Sequence, residues 1–127
     1  KRLLLGHNAL SGTIPESIGN LTKLEILDFS NANISGRIPT TIGNQINLKE
    51  LYLGKNSLTG MLTLGRLEMK SLDIFDVSYN NFFGSMSTIC GEEKFSTFYA
   101  DCGVDSTTIY PKVECSCCTH CCNSTVC

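Results

Sequence analysis

The sequence has no tryptophan and only 17% charged residues, with a formal net charge of −2 at pH 7. This low and nearly balanced charge excludes the basic patch of a nucleic-acid-binding protein and the polybasic cluster of a membrane-surface protein. Nowhere do apolar residues approach the roughly 20 consecutive positions needed to cross a bilayer. We therefore expect any membrane connection to come from segments missing from these 127 residues.

Cysteine is absent from the first 89 residues, and this asymmetry divides the chain into two regions. We predict repeats over residues 1–100 and a cysteine-rich cap or tail over residues 101–127. The eight cysteines, all near the C-terminal end, are Cys90, Cys102, Cys115, Cys117, Cys118, Cys121, Cys122 and Cys127.

The first region contains an internal repeat. Copies of the pattern L-x-x-L-x-L, with conservative replacements, begin at Leu24, Leu48 and Leu72, so the period is 24 residues. A weaker copy begins one residue early, at Phe95, and Leu3 starts the remainder of an earlier copy. The match continues after each copy and places glycines at the same point of the period, namely Gly12, Gly36, Gly60 and Gly84. So many matches at one period indicate a repeat architecture.

The repeat pattern predicts how each copy folds. Alternating apolar residues form a short strand with one face inward, and stacked repeats bury that face against one another. The glycines fit turns that need a positive φ or a close backbone approach. Asn8, Asn56 and Asn80 follow the strands, where their amides can satisfy backbone groups of the turn. Ala32 interrupts this column, so its turn needs another partner, for which the candidates are Asn31, Asn33 and water.

The extended pattern L-x-x-L-x-L-x-x-N-x-L-x-G-x-I-P-x-x-I-G resembles the plant-type leucine-rich-repeat (LRR) family over about residues 3–100. That family includes receptor-like proteins, receptor-kinase ectodomains and polygalacturonase-inhibiting proteins. The stretch from Leu62 to Lys70 departs from the pattern, because Thr63 replaces the proline. The cysteine-rich end differs from the usual plant cap and is similar to the C-terminal ends of diatom LRR proteins.

The resemblance implies an α/β solenoid. We expect about four strands in one short parallel sheet on the concave side, irregular or 3₁₀ turns on the convex side, and a disulfide-rich C-terminal cap. Strand cores are expected near residues 3–5, 27–29, 51–53, 75–77 and 98–100. No N-terminal cap precedes Lys1, so we expect the sequence to be the C-terminal part of a longer protein.

The cysteines allow two interpretations. They can form disulfides that close the end of the solenoid, or the dense string from Cys115 to Cys122, together with His120, can hold a metal ion. Three N-x-S/T sequons favour a secretory route, in which thiols oxidise, and thus favour disulfides without a metal. Cys90 and Cys102 flank the last strand and are expected to pair with each other or to tie the tail back. The candidate glycosylation sites are Asn20, Asn33 and Asn123.

Residues between the buried leucines are expected to face outward on the concave side and to bind a ligand. Small residues between them, such as Gly6 and Gly54, would leave room for that ligand. Tyrosines offer contact area and a hydrogen bond at low entropic cost. The candidate ligand-binding residues are His7, Asp28, Asn31, Tyr52, Lys55, Asp76 and Tyr79.

The sequence predicts a recognition protein rather than an enzyme, with no cofactor and no nucleic-acid partner. A Ser30–His7–Asp28 triad can be imagined on neighbouring strands, but no nucleophile-elbow signature surrounds Ser30. We predict an extracellular or cell-surface module that binds a protein, peptide or glycan. The alternatives are an inhibitor of secreted hydrolases and a fragment of a receptor-kinase ectodomain.

Overall fold

The computed structural model describes residues 1–62, 69–87, 89–90, 95–102, 113–122 and 127. These residues form a solenoid of short parallel strands, which confirms the predicted fold class. Its strands, in chain order, are β1 (Arg2–Leu4), β2 (Ile26–Asp28), β3 (Ser35–Gly36), β4 (Glu50–Tyr52), β5 (Ser57–Met61), β6 (Ile74–Asp76), β7 (Asn81–Ser85), β8 (Thr97–Ala100), β9 (Val113–Glu114) and β10 (His120–Cys121). No helix in these ranges is long and apolar enough to cross a membrane.

The main sheet has six parallel strands in the order β1-β2-β4-β6-β8-β10. Its central inward column is in register, with Leu27 paired to Leu51, Leu51 to Phe75, and Phe75 to Phe98. All four side chains are fully buried. The Phe75 and Phe98 rings stack with centroids 4.9 Å apart. The prediction that Leu27, Leu51 and Phe75 share one face is confirmed.

The strand bounds differ slightly from the prediction. The first four strands of the main sheet lie one residue earlier than expected, since each is centred on the middle apolar residue of the pattern rather than beginning there. The main sheet has six strands rather than about four, because the strand expected near residues 98–100 is present as β8 and the cysteine-rich tail adds β10, which pairs with β8.

A second parallel sheet, β3-β5-β7-β9, was not predicted. It forms where the repeated glycines lie, and all four have positive φ, between 80° and 99°. A Cβ would lie 2.8 Å from the Thr13 side chain at Gly36 and 3.2 Å from Arg37 at Gly60, whereas at Gly84 it would only reach van der Waals contact with Met61. The glycine column thus serves both of the roles expected of it, a left-handed backbone and close approach of neighbouring repeats.

Within the described ranges, the convex side carries two 3₁₀ turns, Glu16–Asn20 and Thr40–Asn44, as predicted. Each follows a proline whose fixed φ suits entry into the turn, with values of −75° at Pro15 and −65° at Pro39. Ile18 and Ile42 point from these turns into the core and are buried. The two turns pack on one another, which keeps the convex side in the same repeat spacing as the sheet.

The asparagine column forms hydrogen bonds between neighbouring repeats. The Asn56 Nδ2 group donates to the carbonyls of Phe29, Leu53 and Gly54, at 2.8–3.2 Å. Its Oδ1 accepts from the backbone N–H groups of Ala32 and Ile34, both at 3.1 Å. Among the alternatives for the Ala32 turn, Asn31 and Asn33 were wrong. The next repeat supplies the partner, because stacking brings its amide within reach.

The cysteine-rich tail closes the last repeat through four disulfides, Cys90–Cys117, Cys102–Cys121, Cys115–Cys118 and Cys122–Cys127. The disulfide interpretation is therefore confirmed, and Cys90 and Cys102 tie the tail back rather than pairing with each other. The Thr119 hydroxyl also accepts from the N–H of Phe98, at 2.7 Å, where the next repeat would otherwise continue the sheet.

We predict that Leu51→Ala lowers the free energy of unfolding by about 2–5 kcal/mol, because truncating a fully buried leucine leaves a cavity. Tyr52→Ala is the matched control one residue away. Its side chain points outward, so its cost should be about 1 kcal/mol or less. Denaturant unfolding followed by circular dichroism measures both. Equal losses for the two variants would contradict the assignment of inward and outward faces.

We also predict less than one free thiol per chain under denaturing, non-reducing conditions, because all eight cysteines are paired. Replacing Cys90 and Cys117 together with serine should lower the free energy of unfolding by about 2–4 kcal/mol, since the cross-link restricts the unfolded chain. Thiol counting, peptide mapping and metal analysis provide the readouts. Many free thiols together with stoichiometric zinc would show that the cysteines hold a metal instead.

Candidate functional site

The outward face of the main sheet presents two columns of side chains in register. The predicted column is Leu4, Asp28, Tyr52, Asp76 and Tyr99. A second column lies beside it and consists of Arg2, Ile26, Glu50, Ile74 and Thr97. We call these ten residues the concave surface. The sequence interpretation missed the second column because it placed each strand one residue too late.

Tyr52 lies near the middle of the concave surface and is half-buried. Its hydroxyl donates to Oε2 of Glu50, at 2.9 Å. Burial, followed by the hydrogen bond to Glu50 and the negative charges of Glu50, Asp28 and Asp76, raises the pKa of Tyr52 to about 12. Tyr52 is therefore a neutral hydrogen-bonding aromatic group in an acidic part of the surface.

Asp28 and Asp76, on either side of Tyr52, have the same local role. Oδ1 of Asp76 accepts from the Ser78 backbone N–H at 2.9 Å and from its hydroxyl at 2.6 Å. The same two bonds join Ser30 to Asp28, at 2.8 and 2.7 Å. Burial raises the pKa of Asp76, and the two bonds from Ser78 oppose that rise. Both carboxylates thus order the turn that follows their own strand.

The expectation that Gly6 and Gly54 leave room for a ligand was wrong. A Cβ on Gly6 would lie 2.7 Å from Oδ1 of Asp28, and one on Gly54 would lie 2.6 Å from Oδ2 of Asp76. The neighbouring repeat's carboxylate already lies against each glycine. These glycines are needed so that the aspartates can pack there.

Four of the predicted site residues lie in turns rather than on strands, which corrects their placement. His7, Asn31, Lys55 and Tyr79 have φ values of 58°, 49°, 58° and 54°. The chain leaves each strand three residues earlier and passes through the left-handed region there, which is uncommon for residues other than glycine and asparagine. Their side chains contact one another in pairs: Asn31 Nδ2 lies 3.3 Å from His7 Nδ1, and Lys55 Nζ lies 5.8 Å from the Tyr79 ring centroid.

Three of these turn residues, His7, Asn31 and Lys55, line a shallow groove of about 420 Å³ beside the concave surface, whereas Tyr79 does not line it. We call it the polar groove. Its lining is His7, Asn8, Ala9, Asn31, Asn33, Lys55, Asn56 and Ser57. The structure therefore separates the predicted site into two neighbouring parts, with Asp28, Tyr52 and Asp76 on the concave surface and His7, Asn31 and Lys55 in the polar groove.

The imagined catalytic triad does not match the observed contacts. The Ser30 hydroxyl donates to Asp28, and the His7 ring contacts the Asn31 amide. Ser30 and Asp28 are thus engaged in ordering a turn, as Ser78 and Asp76 are two repeats further on.

Two of the three candidate glycosylation sites lie in the described part of the chain. Asn20 is exposed at the end of a convex 3₁₀ turn. Asn33 is exposed in the polar groove and has a φ of 57°. Asn123 lies outside the described residues. Their modification stays a prediction.

Comparison with known proteins agrees with the repeat geometry. The profile of the family described as Leucine Rich Repeat matches residues 1–21 and 23–45. Receptor-like protein 41 of Arabidopsis thaliana is 49% identical over 51 residues, which is 39% of this chain and 6% of that protein. The repeats of this chain are thus similar to those of plant-type LRR receptor-like proteins. The resemblance predicted from the sequence is confirmed, whereas the similarity of its cysteine-rich end to diatom LRR proteins stays a prediction.

Solved LRR ectodomains share the fold. That of the receptor kinase SOBIR1 from Arabidopsis thaliana superposes with a TM-score of 0.71 and 27% identity, over 76% of this chain and 53% of that one. A second match is the ectodomain of the Arabidopsis thaliana membrane receptor kinase GASSHO1/SCHENGEN3, solved in complex with Casparian strip integrity factor 2. It superposes with a TM-score of 0.65 and 37% identity, over 70% of this chain and 11% of that one. This chain therefore spans only part of the length of these relatives.

We predict that Asp76→Asn stabilises the protein increasingly as the pH rises above 3.8, the ordinary pKa of this group. Between the unfolded-state pKa of Asp76 and its raised folded-state pKa, the folded chain binds more protons than the unfolded chain. The stability of the wild-type protein therefore falls as the pH rises through that range. The asparagine Oδ1 can still accept both bonds from Ser78 but carries no charge to desolvate.

Urea unfolding of both proteins from about pH 3 to about pH 7 tests this, because subtraction removes the contribution of the other titrating groups. The stability of Asp76→Asn relative to wild type should grow with pH and then level off. A constant difference would show that Asp76 has the same pKa in the folded and unfolded chain, and a difference that shrinks with rising pH would show that its charge stabilises the fold. Either result would contradict the prediction.

Proposed function

We propose that the chain is part of an extracellular recognition module that binds a protein or peptide ligand through the concave surface. The observation that supports this most directly is the pair of in-register columns, which hold polar, aromatic and apolar side chains on a rigid sheet. A rigid scaffold lowers the entropy lost on binding. The ordered turns that follow β2 and β6 add to this rigidity, because Asp28 and Asp76 hold them in place.

The chemistry of the concave surface suits a polypeptide better than a glycan. Tyr52 and Tyr99 offer flat aromatic area, and Ile26 and Ile74 add half-buried apolar side chains in the neighbouring column. Aromatic anchors surrounded by polar groups are typical of the residues that dominate protein interfaces. Glu50, beside Tyr52, can accept hydrogen bonds from ligand N–H groups.

The relatives support a receptor rather than an inhibitor of secreted hydrolases. They include a receptor-like protein and receptor-kinase ectodomains, one of them solved with a bound factor. The four disulfides of the cap fit an oxidising compartment. We therefore place the module outside the cell or at its surface, within a receptor-like protein or a receptor kinase, and assign it no catalytic role.

A displayed peptide library tests the proposal. Peptides selected on the disulfide-bonded protein should lose affinity for Tyr52→Ala by about tenfold or more, which is the loss of roughly 1.4 kcal/mol expected at an aromatic anchor. Ile46→Ala is the matched control, because Ile46 is 51% exposed and lies beside a 3₁₀ turn on the convex side. It should bind the same peptides as wild type does.

Calorimetry measures the affinities, and thermal unfolding confirms that both variants are folded. Failure to select any peptide, or selected peptides that respond to Ile46→Ala and not to Tyr52→Ala, would contradict the assignment of the concave surface.

A further inference from the structure

Asn33 has a position that its sequon alone does not reveal. The residue is exposed and lines the polar groove together with His7, Asn31 and Lys55. Two backbone bonds to Oδ1 of Asn56, from Ala32 and Ile34, hold the chain on both sides of it. Any group attached to the Asn33 side chain therefore starts from a fixed point within the groove.

Asn20, the other described sequon, lies elsewhere on the solenoid. It ends the 3₁₀ turn Glu16–Asn20 and lines a separate cleft with Lys1 and Lys23. A group attached there would extend from the convex side. The two sequons thus differ in what they can cover, although they have the same chemical signature.

We propose that Asn33 carries an N-linked glycan that covers the polar groove and leaves the concave surface as the area open to ligand. A core glycan has several sugar units and is far larger than the side chains around it. The lining favours this placement, because the amide of Asn31, the ring of His7 and the ammonium group of Lys55 can all bond to sugar hydroxyls. The statement that the concave surface stays open to ligand rests on the proposed function, whereas the presence of a glycan at Asn33 does not.

The attachment requires a lipid-linked oligosaccharide as donor. The Asn33 Nδ2 atom bonds to the anomeric carbon of the first sugar, the lipid diphosphate leaves with the electrons of the broken C–O bond, and the amide loses one proton. In the folded chain Ile34 is only 4% exposed, and Ser35 pairs with Ser57 in the second sheet. The sequon must be extended to enter a transferase, so the glycan is added before this repeat folds.

The reactivity of Lys55 provides the test, because this exposed lysine lies in the groove that the glycan would cover. The protein is secreted from a eukaryotic host and treated with a bulky amine-acylating reagent, and the rate at Lys55 is followed by peptide mass spectrometry. We expect the rate to rise several-fold after native endoglycosidase trimming, and a glycopeptide containing Asn33 to be found.

Variants at Ser35 give a matched pair. Ser35→Ala destroys the sequon and removes only a long 3.4 Å hydrogen bond to Gly12. The acylation of Lys55 should therefore be fast in this variant without any trimming. Ser35→Thr keeps the sequon, so the acylation of Lys55 should stay slow until the glycan is trimmed. Asn20→Gln should leave the rate at Lys55 unchanged.

Two results would overturn the proposal: an unmodified Asn33 in the secreted protein, or a glycan at Asn33 with the same Lys55 rate before and after trimming. Neither depends on a ligand, so they are distinguishable from failure of the proposed function. If the peptides selected on the concave surface bind Ser35→Ala and Ser35→Thr equally well, the covered groove lies outside the ligand site, as we expect. A loss of binding only with Ser35→Ala would show that the glycan itself contacts the ligand, and would overturn the proposal that it lies outside the ligand site.

Discussion

Burial of the inward column between neighbouring repeats is the constraint on which the rest of the structure depends. Leu27, Leu51, Phe75 and Phe98 are each covered on both sides by the equivalent side chain or by the cap, and none of them is exposed. A three-residue strand could not bury such a side chain alone, so the stacking and the strands form together. The common register then fixes the position of every other column.

The turns depend on that register for their hydrogen bonds. Asn56 can satisfy a turn of the preceding repeat only because stacking holds the two at a constant offset. In the last repeat no further LRR asparagine is available, and Asp101 takes over. It is only 6% exposed, and its carboxylate accepts from the N–H groups of Tyr79 and Asn80, at 2.7 and 2.9 Å. The cap thus supplies the hydrogen-bond partners as well as the covalent cross-links that the open end needs.

The concave surface is a consequence of the same packing. Alternation along each strand turns one side chain inward and its two neighbours outward, so a buried leucine column produces two outward columns beside it. The aspartates of the concave surface are partly structural, because they order the following turns and lie against the glycines of the preceding repeat. Tyr52, Glu50 and the two half-buried isoleucines, Ile26 and Ile74, have no such role in the turns, so they are free to contact a partner in the proposed module.

Periodicity by itself determined the stacked repeats and the inward faces of Leu27, Leu51 and Phe75, since each follows from one local pattern repeated at one spacing. The resemblance to the LRR family added irregular or 3₁₀ turns on the convex side. The disulfide-rich cap followed from the clustering of the cysteines. Only the tertiary structure decided the pairing of those cysteines, the second sheet, the partner of the Ala32 turn, and the separation of the polar groove from the concave surface. Most of these features depend on contacts between residues more than 18 positions apart; the short Cys115–Cys118 and Cys122–Cys127 disulfides are the exceptions. The polar groove depends instead on a left-handed backbone at non-glycine residues such as His7 and Lys55. A sequence pattern does not predict long-range contacts or left-handed turns of this kind, because many pairings and many turn conformations are compatible with the same residues until stacking selects one.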